Sequence, residues 1–274
     1  MSSPESQAPL PGWKYQEGNY WQESKGPLIS LAFVAPMLLI YELGAYVAGP
    51  QALRNGADVW LRELLQFVGF GHYLLLPVLT AGILLAWHHT TREPWKIREE
   101  LLGIMFLEAS GWALLLLGVA RMLGMLFAMA PGLEIAPPAA MGSLRHLAGE
   151  LVGPFGAGIY EELLFRLMLF PLLLVCLQRG LPLFWQTDDK QPGRQNQLDL
   201  ISYGGAILLT SLLFSAAHYQ VFTSHGDAFE LYSFTFRTLA GVFFCLLFVS
   251  RGFGIAVGAH AMYDVFVSVL RLVG

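Results

Sequence analysis

Three groups of ionisable residues stand inside long apolar stretches of this chain: Glu161-Glu162-Leu163-Leu164-Phe165-Arg166, Phe214-Ser215-Ala216-Ala217-His218 and His260-Ala261-Met262-Tyr263-Asp264. A charged side chain at the centre of a bilayer costs roughly 2.5–3.5 kcal/mol on insertion scales, so such groups face a protein interior or a wet cavity. On a helix Glu162 and Arg166 share a face and can neutralise each other. At about 3.6 residues per turn Glu161 points some 100° away from that pair, and can do other work. His260 and Asp264 also share a face, which lets the carboxylate orient the imidazole.

The chemistry available to this set is water activation. A glutamate and a histidine, Glu161 and His218, can hold a water and take its proton. A second histidine, His260, held by Asp264, can stabilise the oxyanion of a tetrahedral intermediate. No serine sits in a G-x-S-x-G elbow. Neither Cys176 nor Cys245 has a histidine at helical spacing, and no H-E-x-x-H zinc signature occurs. Glu161, His218 and His260 are nonetheless a donor set that a divalent metal such as zinc accepts, so water or metal stays open. Each group has a plainer reading too: an ion-pair lock, an interfacial histidine, a polar clasp between helices. Bringing all of them together in lipid is costly without a function.

The elements that position these residues follow from composition. The chain has 274 residues, 55% of them hydrophobic and 13% charged. Soluble domains carry about 25% charged residues. Half that charge, with the apolar residues gathered in long blocks, describes an integral membrane protein of the all-α, polytopic kind. A net charge of −4 offers no basic surface to nucleic acid. Both cysteines lie in apolar runs and read as small core residues.

A helix needs about 20 apolar residues to cross the hydrocarbon core. Seven segments approach this: 28–48, 71–87, 101–129 (long enough to tilt, or to bend near Arg121), 147–177 with a break at Gly153-Pro154, 200–218, 234–249 and 253–272. Residues 56–70 place Asp58, Arg62 and Gln66 opposite Val59, Leu64, Leu65, Phe67 and Val68, the pattern of an amphipathic helix lying on the membrane. Residues 1–27 form a polar, aromatic lead-in, and 28–274 form one transmembrane domain whose catalytic core spans about 147–272. Residues 186–199 read as a loop. Alternating the loops over seven spans puts nine Lys and Arg on the side of the N-terminus and four on the other. That bias expects a cytoplasmic N-terminus, in the plasma membrane. Straight spans would leave His218, at a span end, and His260, near a span start, at different depths. Shifted boundaries would bring them level.

The ordered motifs E-E-x-x-x-R, F-x-x-x-H and H-x-x-x-[N/D] are here Glu161-Glu162-(x3)-Arg166, Phe214-(x3)-His218 and His260-(x3)-Asp264. In that order, on separate apolar helices, they resemble the CPBP family, the CAAX-protease and bacteriocin-processing membrane proteins, also called ABI or Rce1-like. The resemblance covers roughly residues 147–272. It implies an intramembrane endopeptidase with water activation by Glu161 and His218, transition-state support by His260 and Asp264, and positioning by Glu162 and Arg166. The family's third motif often ends in Asn; this chain has Asp264, assigned here to orienting His260. The implied partners are the lipid bilayer and a membrane-associated protein or peptide substrate. Two other classes use similar residues: a proton-coupled transporter, which also places Glu, His and Arg within the membrane, and a catalytically silent scaffold or immunity protein of the same fold.

Overall fold

The computed structural model describes residues 19–48, 56–72, 74–128, 152–184, 194–219 and 227–273. Among the described residues there is no β-strand, and the chain is an all-α bundle. Its elements are α1 (Tyr20–Glu23), α2 (Pro27–Ala48), α3 (Gly56–Phe67), α4 (Leu75–Thr91), α5 (Glu99–Ala128), α6 (Ala157–Leu169), α7 (Phe170–Phe184), α8 (Arg194–Ala216), α9 (Leu231–Arg251) and α10 (Phe253–Val273). Five of them, α2, α5, α8, α9 and α10, are long and apolar enough to cross a membrane. The protein is an integral membrane protein. α4 has 17 residues, and the run α6–α7 is interrupted by charge. These two are the remaining spans expected from sequence.

α10 occupies the centre and packs on α5, α6, α9 and α2. Ile255, Ala256, Val257, Ala259, His260 and Ala261 are all buried, so this half of the helix meets protein on every side. Small residues permit the close crossings, as they do where lipid supplies no hydrophobic drive for helix association. A Cβ on Gly158 of α6 would lie 2.9 Å from the Val257 carbonyl and from the backbone nitrogen of Ala261. A Cβ on Gly241 of α9 would lie 2.8 Å from Ser211 Cα on α8.

Several expectations from sequence are corrected. Of the two alternatives for the long span, tilt or a bend, the bend does not occur: α5 is one unbroken helix through Arg121, and at about 1.5 Å per residue its 30 residues span roughly 45 Å. α8 starts at Arg194, inside the segment read as a loop, and ends at Ala216. Cys176 is exposed on α7, while Cys245 is buried. Pro131, Pro137, Pro138 and residues 147–151 lie outside the described residues.

The amphipathic helix α3 is tied to the bundle through its polar residues. Asp58 is buried, whereas Phe67 is 88% exposed. Arg62 bonds Asp58 at 2.5 Å and Glu42 of α2 at 2.9 Å. Tyr41 donates to Asp58 at 2.8 Å and Tyr160 to Glu42 at 2.5 Å. Asp58 and Arg62 thus close inward on α2 and α6, with Ala57 and Leu61 buried beside them, while Gln66, Leu64 and Phe67 face outward.

Charges buried in the bundle are therefore not confined to its second half. A third network sits at the opposite end of α2, where Arg251 ends α9. Its Nε donates to Glu108 of α5 at 2.6 Å, Nη1 to the Trp21 carbonyl at 3.0 Å and Nη2 to Ser24 Oγ at 2.9 Å. Tyr20 also donates to Glu108, and Arg98 pairs with Glu23 at 3.1 Å. These bonds tie α1, the segment after α4 and the α9–α10 junction together at one end of the bundle. The junction itself turns on Gly252, whose φ of +85° suits glycine.

Candidate active site

α6 is not an ordinary helix. From Ala157 to Leu169 it is wound as a π-helix, and the Phe170 amide donates to the Phe165 carbonyl, five residues back. Thirteen residues of π-helix are unusual, because π turns occur mostly as single bulges, often at functional sites. The expectation of α-helical spacing around Glu161 is corrected here. The wide winding carries Tyr160, Glu161, Glu162, Phe165 and Arg166 all into the interior.

Glu162 and Arg166 pair as their spacing predicts, with Arg166 Nη1 3.1 Å from Glu162 Oε1 and both side chains fully buried. Glu162 has a second partner. Its Oε1 accepts a hydrogen bond from His260 Nδ1 at 2.7 Å. Asp264 lies 3.7 Å from His260 Nε2, beyond hydrogen-bonding distance. The expectation that Asp264 orients His260 is thus overturned: the carboxylate that holds the ring comes from α6, because the helix crossing at Gly158 sets Glu162 closer to Nδ1 than the i+4 neighbour can reach.

His218 stands two residues beyond the end of α8, in a turn. Its Nδ1 is 2.8 Å from the Phe214 carbonyl. A carbonyl only accepts, so Nδ1 carries the proton and Nε2 presents a lone pair. That Nε2 lies 3.7 Å from Glu161 Oε2. His260 Nε2 lies 3.8 Å from the same oxygen. Two imidazole nitrogens and one carboxylate therefore converge, and the depth mismatch of straight spans disappears. The earlier start and end of α8 place His218 beside the π-helix.

Aromatic rings wall the cluster. Phe244 stacks on His260 with centroids 4.5 Å apart and planes at 14°. Phe214 meets both histidines edge-on, at 5.0 and 6.0 Å. The Arg166 guanidinium carbon is 4.3 Å from the Phe214 centroid and 5.3 Å from that of Phe244, and Nη2 reaches the Gly241 carbonyl at 3.4 Å. α9 thus contributes Gly241 and Phe244, neither of which sequence reasoning singled out. Arg237, one turn before Gly241, was also missed. Its signal was present: a charge inside the apolar run 234–249.

All six expected site residues lie in this region. Glu161, Glu162, Arg166, His218 and His260 form one contiguous cluster, and Asp264 sits at its edge, about one-third exposed. Among the described residues no three His, Cys, Asp or Glu are placed closely enough to share a metal ion.

The bundle and its buried acid–base cluster define the class: a membrane-embedded protein built around carboxylate and imidazole. The family model for the Rce1-like proteins, described as type II CAAX prenyl endopeptidase, matches residues 145–266. The matched segment resembles that family and contains Glu161, Glu162, Arg166, His218, His260 and Asp264. Comparison with curated proteins and with solved structures finds no match.

Proposed function

We propose that the chain is an intramembrane endopeptidase that hydrolyses a peptide bond near the end of a membrane-associated protein or peptide, with Glu161 as general base. The observation that carries this is the convergence of His218 Nε2 and His260 Nε2 on one Glu161 oxygen, at 3.7 and 3.8 Å. A water held between Glu161 and His218 attacks the scissile carbonyl carbon and gives its proton to the Glu161 carboxylate. His260, doubly protonated and neutralised by Glu162, donates Nε2–H to the oxyanion. The proton on Glu161 passes to the amide nitrogen as the C–N bond breaks. Preorganised donors of this kind contribute about 2.7–4 kcal/mol each to the barrier, and the general base about 10²–10⁴-fold in rate.

Arg166 and Glu162 position His260, and the Phe214 and Phe244 rings fix both imidazoles. The bilayer is the medium. If a zinc ion takes part, Glu161, His218 and His260 are the residues that would move together to hold it, and it would supply Lewis-acid polarisation of the carbonyl.

The test is cleavage by the purified protein in liposomes, with peptides ending in a CAAX-type sequence, prenylated or not, read by mass spectrometry of both fragments. Glu161→Ala, His218→Ala and His260→Ala variants that insert and unfold thermally like wild type lose cleavage. Wild-type rates in all three overturn the proposal.

A further inference from the structure

Arg237 is an intramembrane cation that the hydrolytic scheme does not use. It lies in the second turn of α9, on the face that carries Gly241 one turn later and Phe244 beyond it, residues of α9 that touch Arg166 and His260. Its guanidinium carbon is 5.2 Å from the Tyr219 ring centroid, the residue after His218. Its Nη2 donates to Asp227 at 2.7 Å, and the Asp227 amide donates in turn to the His218 carbonyl at 2.9 Å. Arg237 thus flanks the segment that carries His218 from the α9 side.

Two features suit this guanidinium to an anion. Nη1 is buried and has no hydrogen-bond partner among the described residues, and a buried donor without an acceptor is costly. Its present acid, Asp227, is 64% exposed, and ion pairs to exposed partners are worth little. Asp227 is thus easily exchanged for an incoming carboxylate. The other cation at the site, Arg166, is fully buried beside Glu162, so it is closed to substrate.

We infer that Arg237 is a substrate-binding residue that pairs, fork to fork, with the free α-carboxylate of the peptide segment on the leaving-group side of the scissile bond. Arginine is the side chain whose planar fork matches a carboxylate bidentately. A peptide end entering a site that already holds Glu161, Glu162 and Asp264 brings a further negative charge, and Arg237 is the group placed to neutralise it. Specificity for a chain terminus over an internal peptide bond follows. This inference rests on the endopeptidase reading above.

The experiment compares two peptides of one sequence, ending in a carboxylate or an amide, cleaved by wild type, Arg237→Gln, Arg237→Lys and Asp227→Asn in liposomes. Wild type prefers the carboxylate by about tenfold or more in kcat/KM, as a lost charge-assisted pair dictates. Arg237→Gln brings that ratio close to one, chiefly through KM of the carboxylate peptide, and Arg237→Lys restores part of it. Asp227→Asn lowers KM for the carboxylate peptide, and this arm holds if Arg237→Gln does not fold. A wild-type ratio near one, an Arg237→Gln ratio equal to that of wild type, or an unchanged or raised KM in Asp227→Asn overturns the inference. Failure of wild type to cleave either peptide overturns the protease reading itself, a separate outcome.

Discussion

His260 donates Nδ1–H to Glu162 across 98 residues of sequence, at 2.7 Å, while its own helical neighbour Asp264 stays 3.7 Å from the other ring nitrogen. The ring is therefore aimed by α6. Replacing Glu162 by Gln removes both the charge that balances the imidazolium and half the Arg166 pair. Cleavage falls by about 10²-fold or more, the scale of general acid–base catalysis. Asp264→Asn loses less than about tenfold, because no hydrogen bond to His260 is broken. Steady-state kcat/KM of the two variants decides the order. A greater loss in Asp264→Asn assigns the orienting role back to α10.

The π-helix and α10 approach at a crossing that only glycine allows. A Cβ at position 158 meets backbone atoms at 2.9 Å, and backbone cannot swing aside as a long side chain does. Gly158→Leu drives α6 from α10 and separates Glu162 from His260. Inserted protein with helical circular dichroism but a lowered melting temperature and no cleavage is the expected result. An active Gly158→Leu variant shows that the crossing does not set the site.

The network of Glu42, Asp58, Arg62, Tyr41 and Tyr160 anchors α3 to the bundle beside the residue that precedes Glu161. Removing one member of a buried ion pair costs roughly 3–5 kcal/mol. Arg62→Met leaves two buried carboxylates facing each other and lowers the melting temperature in detergent. Glu42→Gln with Arg62→Met together recovers part of the loss. Thermal unfolding of the single and double variants reads the coupling directly.

Much of this was legible in the sequence. The apolar blocks located α2, α5, α9 and α10 closely, and the ordered motifs named the residues of the cluster. Two things were not legible. Helical spacing links i to i+4, so it paired His260 with Asp264 and could not see a carboxylate on another helix. It also assumed α-helical winding at Glu161, since a π-helix leaves no periodic signature distinct from that of a buried apolar helix. The amphipathic pattern of α3 was legible, but its spacing could not show that Asp58 and Arg62 bond to Tyr41 and Glu42 of α2. Glu42, Glu108 and Arg237 were overlooked because each is a lone charge in an apolar run.

Outside the membrane-spanning segments, burial raises the Glu93 carboxyl above its ordinary range. The side chain is 11% exposed, and His88 Nδ1 is 3.9 Å away. A carboxyl whose folded pKa is raised stabilises the fold while it is protonated, and that contribution is lost as pH rises through the folded value. The melting temperature of wild type therefore declines relative to Glu93→Gln, which keeps the neutral form throughout, as pH rises from the ordinary glutamate value of about 4.3 through the raised folded value. Parallel curves for the two proteins contradict the assignment.

The central claim is that Glu161 takes the proton of the attacking water. Its most direct test is single-turnover cleavage by Glu161→Gln in liposomes, with side-chain size kept and the charge removed. The account predicts unchanged insertion and melting and a rate lowered by about 10³-fold or more, within the range for loss of a general base. A rate within about tenfold of wild type, with the fold intact, contradicts it.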